Sequence, residues 1–149
     1  MSETMPPFLR LNTVTPEVPI QVEGLTITPV PVNHSVPTVA YVVQEGDTSV
    51  IFAADTTSTK RLWEVARKTP GLRAVFLEAS FPNRMKAVAD ASLHMTSEMF
   101  GRELAKVPEG VRVIAVHLKV RYRDEIIREL QALEAPLLEI GECNREYLF

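Results

Sequence analysis

The feature that most constrains this chain is a change of hydrophobic rhythm partway along it. Up to about Ala53 the apolar residues come in short β-like runs: Val18–Val22, Thr26–Val32, Val39–Val43 and Ser49–Ala53. Glu23-Gly24 and Glu45-Gly46-Asp47 lie between runs and read as hairpin turns. Beyond that point, continuous apolar runs alternate with helical patterns. Ala74–Leu77 and Val111–Val116 have the unbroken character of strands buried on both faces. Thr59 is placed to cap a helix to about Lys68 with Leu62, Val65 and Ala66 inward. Pro70-Gly71 closes it. Thr96 is placed to cap a second helix to about Lys106, with Glu98 and Arg102 as an i,i+4 pair. Asp124–Leu133 predicts a third helix, with Ile126, Ile127, Leu130 and Leu133 inward. Leu137–Ile140 and Tyr147–Phe149 read as terminal strands, and Phe81–Leu93 as irregular and polar. A meander followed by repeated αβ units predicts a layered α/β domain with a mixed sheet over 18–149. The Pro/Thr-rich residues 1–17 read as an extended lead-in or linker.

Composition excludes several classes. The chain has 149 residues, 46% of them apolar, which suits a single packed domain. Its net charge of −3 gives no basic stripe for nucleic acid and no polybasic membrane patch. No apolar run reaches the roughly 20 residues a membrane-spanning helix needs. Met-Ser-Glu-Thr-Met-Pro-Pro lacks the regions of a signal peptide, so cytoplasmic residence is the expectation. The single cysteine, Cys143, excludes an internal disulfide.

The chemistry-bearing residues sit at element ends. His34 follows Ile27–Val32, Asp55 follows Val50–Ala54, and His117 follows Val111–Val116. His94 directly precedes the Thr96 cap, and Glu78 ends Ala74–Leu77, where an unpartnered carboxylate would be costly. Loops at strand ends are where ligands collect in α/β domains. Two histidines and an aspartate fit zinc, manganese or iron but are too few to close a two-metal site. Each residue also has a plain reading, as a loop histidine or a turn aspartate.

Longer strings carry a resemblance. Val32-Asn33-His34-Ser35-Val36-Pro37-Thr38-Val39-Ala40-Tyr41 resembles a metal motif of the class II cyclic-nucleotide phosphodiesterases, which the transfer-RNA 3′-processing ribonucleases share in similar form. Ala53-Ala54-Asp55-Thr56-Thr57 is similar to their Gly-Asp-Thr motif. Glu78-Ala79-Ser80-Phe81 and Leu93-His94-Met95-Thr96 resemble the paired Glu-Ala and His-Ser/Thr signature. His117-Leu118-Lys119-Val120-Arg121-Tyr122 resembles the last metal-ligand segment. The four strings stand in the family's order and use every histidine of the chain.

The resemblance implies the C-terminal half of a metallo-β-lactamase fold. His34 and His117 would each bind one of two divalent ions, with zinc first expected and manganese or iron as alternatives. Asp55 would bridge the two ions. His94 would act as proton donor, oriented by Glu78, while Lys119 and Arg121 would meet substrate phosphate. The implied substrate is a small phosphodiester, 3′,5′-cyclic nucleotides first and RNA second. Ala54 replaces the family's glycine and Thr57 departs as well, which implies strain if the turn needs a positive φ. The His-x-His-x-Asp-His motif is not in this sequence. The resemblance therefore implies self-association or a partner supplying the other half, with poor turnover by the chain alone. The alternatives are a non-catalytic binding or scaffold domain of the same descent, and a generic α/β interaction domain.

Overall fold

The structure is a computed structural model, and it describes residues 12–149. Seven strands form one sheet in sequence order: β1 Ile20–Val22, β2 Leu25–Val32, β3 Thr38–Glu45, β4 Thr48–Phe52, β5 Leu72–Glu78, β6 Arg112–Val116 and β7 Leu138–Ile140. β1 to β4 pair antiparallel; β4 to β7 pair parallel. The change of pairing falls where the sequence changes rhythm, because parallel neighbours need crossovers and hairpins cannot supply them. The crossovers hold α1 (Arg61–Ala66), α2 (Lys86–Ser92), α3 (Ser97–Leu104) and α4 (Arg123–Gln131). Successive parallel strands always step in one direction, so crossovers of one hand put these helices on one face.

That face holds the core. Val42, Ile51, Val75 and Val113 lie in register across β3 to β6. They share a buried cluster with Leu62 and Trp63 of α1, Ala89 of α2, Phe100 of α3 and Leu130 of α4. The opposite face carries Tyr41, Phe52, Phe76 and Ile114 in a row. Among the described residues no helix covers it, and Phe52 stays 45% exposed.

Several sequence expectations are corrected. Tyr147–Phe149 is not a strand. It crosses the open face irregularly, with Tyr147 and Phe149 edge-on to Phe76, and the Leu148 carbonyl accepts from Arg112 Nη1 at 3.2 Å. Phe81–Leu93 contains α2, whose alanines favour a helix although Ala89 alone is buried, so no apolar period marks it. Thr59 does not cap α1; Lys60 stands there without a side-chain bond. Thr96 does cap α3, accepting from the Met99 amide at 3.3 Å, and Glu98 pairs with Arg102 at 2.8 Å. In α4, Ile126 and Leu130 are buried while Leu133 is 36% exposed beyond the helix end.

Within the lead-in, residues 1–11 lie outside the described residues, and 12–17 form no strand. The Glu17 amide donates to Pro29 O at 2.7 Å, and Arg61 grips its carboxylate. That hydrogen bond holds the Glu17 carboxyl below its usual range. Among the described residues no helix is long and apolar enough to cross a membrane.

Candidate metal and catalytic centre

Topology brings the candidate residues together. β2, β4, β5 and β6 all run the same way, so their C-terminal ends share one edge of the sheet. His34, Asp55, Glu78 and His117 stand at or just past those ends. His94 reaches the same edge through a bridge between Phe81 and Thr96. One potential ligand atom each from His34, Asp55 and His94 lies within 4.8 Å of the other two. His117 Nε2 is 3.4 Å from Asp55 Oδ1, and its ring stacks on that of His94 at 5.5 Å between centroids. The His34 and His94 rings meet edge-on at 4.9 Å.

Hydrogen bonds fix which nitrogens are free. His34 Nδ1 lies 3.2 Å from the Leu93 carbonyl. A carbonyl only accepts, so Nδ1 carries a proton and Nε2 is the ring atom left to face the cluster. His94 Nδ1 lies 2.7 Å from Glu78 Oε1, which likewise leaves Nε2 as its outward atom. This is the arrangement by which carboxylates and carbonyls orient functional imidazoles. His117 Nε2 takes the Lys119 ammonium at 3.1 Å. Lys119 is thus at the cluster, with Nζ also 5.9 Å from the Phe81 ring centre. Arg121 is not; its guanidinium lies over the Tyr122 ring at 5.7 Å.

Two buried carboxylates hold the loops in place, and only one was singled out in the sequence. Glu78 is fully buried. It accepts from the Thr56 amide (2.7 Å), Ser80 Oγ (2.5 Å), His94 Nδ1 (2.7 Å) and the Met95 amide (3.2 Å). It therefore ties the loop after Asp55 to the loop carrying His94. Glu103, 1% exposed, is the other. It accepts from Trp63 Nε1 (2.6 Å), Ser58 Oγ (2.6 Å) and Lys106 Nζ (2.5 Å). Its signal in the sequence is an acid on the stripe that Met99 and Phe100 bury. Asn33 joins the His34 loop to the Asp55 loop: its carbonyl accepts from the Thr57 amide at 2.8 Å and its Nδ2 donates to Ser58 O at 2.6 Å.

The backbone is strained at the same edge. Ala54, Leu93 and His117 have φ of 56°, 54° and 60°, the left-handed region that costs non-glycine residues about 1–2 kcal/mol. Ala54 is the position where the resemblance implied a glycine. Thr57 is not in that region, so its departure carries no backbone strain.

A mixed sheet with its helices on one face and this edge cluster is an α/β metallo-β-lactamase fold. The chain belongs to the beta-lactamase superfamily: the model of the beta-lactamase superfamily domain matches residues 1–118. Among solved structures it is similar to the metallo-beta-lactamase fold protein YhfI from Bacillus subtilis, with 19% identity and a TM-score of 0.69. That match covers 88% of this chain and 52% of YhfI. Zn(2+)-bound PqqB from Methylobacterium extorquens matches with 16% identity and TM-score 0.65, over 87% of this chain and 52% of that one. The short form of human tRNase Z matches with 15% identity and TM-score 0.59, over 83% and 42%. The chain thus spans about half the length of the structures it matches. No curated protein matches.

Proposed function

We propose that this chain carries the C-terminal half of a two-metal site that hydrolyses phosphodiesters, 3′,5′-cyclic nucleotides being the first substrate class to test. The observation that carries the reading is the convergence of His34, Asp55, His94 and His117 from four separate segments on one sheet edge. The donor set fits a borderline divalent cation, since His34 Nε2, the Asp55 carboxylate and, once Lys119 moves off it, His117 Nε2 are the nitrogen and oxygen donors that zinc, manganese and iron accept. Zinc comes first because PqqB, a relative in fold, is described as Zn(2+)-bound. The name of tRNase Z likewise supports a phosphodiester substrate.

His34 and His117 are the proposed terminal ligands and Asp55 the bridge. When bound, two such ions would polarise the phosphoryl group and supply hydroxide near neutral pH. His94, with Nδ1 held by Glu78, would present Nε2 to the leaving oxygen as proton donor. Lys119 would meet phosphate charge once displaced from His117. The same geometry allows a second reading, in which His94 ligates instead of donating, because its ligand atom lies in the group with His34 and Asp55.

The test is metal content and rate measured together. The chain alone should bind zinc or manganese weakly and turn over bis-p-nitrophenyl phosphate barely above background. Joined to a segment supplying His-x-His-x-Asp-His, it should gain metal-dependent turnover. There, Asp55→Ala should remove nearly all activity. His94→Ala should lower the rate and leave metal content almost unchanged. Loss of metal in His94→Ala would transfer the assignment to the ligand reading, and full activity in Asp55→Ala would overturn the site.

A further inference from the structure

Beside His117 a cavity of about 350 Å³ opens with an apolar wall of Phe76, Val116, Leu118 and Tyr147. The free thiol of Cys143 also lines it and is exposed. Val120 and Arg123 line both this cavity and a second one of about 450 Å³. The second cavity adds Arg84, Arg121 and Arg128 around Tyr122, so four guanidinium groups face two carboxylates, Asp124 and Glu125, on a chain whose net charge is −3. Glu125 is committed to Arg84 through bonds of 2.9 and 3.0 Å, which hold the Glu125 carboxyl below its usual range and raise Arg84. Arg128 Nε donates to the Asp124 carbonyl at 3.3 Å. Arg121 and Arg123 have no carboxylate partner among the described residues. Read outward from the histidine cluster, the order is a site for a reacting phosphate, an aromatic-walled slot, and an uncompensated arginine pocket.

We propose that these cavities form a ring-then-phosphate subsite. The slot beside His117 takes the planar base of a nucleoside, and Arg121 and Arg123 take a second phosphate on that nucleoside. The physics is complementary: aromatic walls stack on any base because every base has a π-face, and guanidinium forks match phosphate oxygens. A cyclic mononucleotide fills only the reacting position and the slot. The arginine pocket selects a nucleoside bearing two separate phosphates, as each inner unit of a nucleotide strand does. This deepens the proposed function and rests on it for the identity of the reacting phosphate.

The test uses the chain as it stands, without metal or turnover. The rate of Cys143 alkylation by iodoacetamide is followed with increasing adenosine 3′,5′-bisphosphate, adenosine 3′,5′-cyclic monophosphate or inorganic phosphate. The bisphosphate should protect the thiol at roughly tenfold lower concentration than the cyclic nucleotide, and inorganic phosphate should not protect it. Arg121→Ala, which lines the second cavity and not the slot, should raise the half-protecting bisphosphate concentration about tenfold and leave that of the cyclic nucleotide unchanged. Tyr147→Ala should raise both by a similar factor. Arg102→Ala, on α3 and paired with Glu98, should change neither. Equal protection by the two nucleotides, or equal effects of Arg121→Ala and Arg102→Ala, would overturn the subsite. Because the readout is a thiol, absence of metal-dependent hydrolysis would leave this result legible. Turnover without Cys143 protection would sink the subsite alone.

Discussion

Replacing Glu78 by glutamine should destabilise the protein by about 3 kcal/mol, although the change is nearly isosteric. The magnitude follows from counting donors. Oε1 receives the Thr56 amide and His94 Nδ1, while Oε2 receives Ser80 Oγ and the Met95 amide. Glutamine offers one oxygen and one NH2. In either orientation its NH2 faces a main-chain N–H, Thr56 or Met95, which cannot reverse. His94 can change tautomer and Ser80 can rotate, so they adapt. One buried N–H is left without an acceptor, at a cost of about 1–3 kcal/mol. The remaining bonds lose their charge assistance, roughly half their strength. Glutamine does relieve the burial of a charge, but four donors already satisfy that carboxylate, so little penalty remains to recover. Equilibrium urea unfolding followed by Trp63, the chain's one tryptophan and 1% exposed, reads the change directly. About 3 kcal/mol corresponds to a fall in Tm of roughly 6–12 °C for a domain of this size. Glu78→Ala should cost about 3–5 kcal/mol. Glu98→Gln, in an exposed pair, should stay within about 0.5 kcal/mol. A Glu78→Gln variant within about 1 kcal/mol of the parent would refute the donor count.

Other perturbations test other parts of the edge. Ala54→Gly should stabilise by about 1 kcal/mol, raising Tm roughly 2–4 °C by calorimetry, because φ is 56° and the residue is exposed, so no cavity forms. An unchanged or lower Tm would mean that the turn is not left-handed in solution. Trp63→Phe should cost about 1–2 kcal/mol by circular dichroism in urea, since Glu103 loses its indole donor at 2.6 Å; no loss would show that Ser58 and Lys106 suffice. The open sheet face should drive self-association. Sedimentation should show the parent's average mass rising with concentration, and Phe52→Lys should shift it toward monomer; a concentration-independent parent monomer would contradict this.

What the sequence disclosed and what it hid divide along physical lines. β5 and β6 were visible because their central residues, Ala74–Leu77 and Val113–Ala115, are continuously apolar and mostly buried, and the Thr96 cap was visible because it is a local bond. α2 was hidden because a helix of alanines with one buried position has no amphipathic signature. The last three residues were misread because aromatic side chains are enriched in strands, yet here they cover a sheet rather than extend it. For the site, residue types and element ends indicated where His34, Asp55, Glu78 and His117 would stand. The ties that bring their loops together, Asn33 to Thr57 and Ser58, Ser80 to Glu78, and Glu103 to Ser58, span 22 or more residues in all but one case. Separations of that size leave no local pattern.

The placement of strain bears on the choice between a hydrolase half and a scaffold that only descends from one. The left-handed residues elsewhere include Glu17, Glu23, Glu134 and Asn144, polar side chains in exposed turns or loops. Ala54, Leu93 and His117 differ: they adjoin Asp55, adjoin His94, or belong to the cluster itself. The same edge carries the fully buried Glu78, whose burial is tolerable only because four donors converge on it. A scaffold gains nothing from this arrangement. One mutation to glycine would relax Ala54, and an apolar side chain with matching losses around it could replace the Glu78 network at little cost. Strain and buried charge held at the one edge where histidines converge, while the sheet and helices are ordinary, is the pattern expected when geometry is kept for chemistry. It supports the hydrolase half over the scaffold. If the scaffold reading held, Ala54→Gly and Glu78→Gln would alter stability alone; if the proposed hydrolase reading holds, they should also change turnover in the completed protein, by displacing Asp55 and His94 respectively.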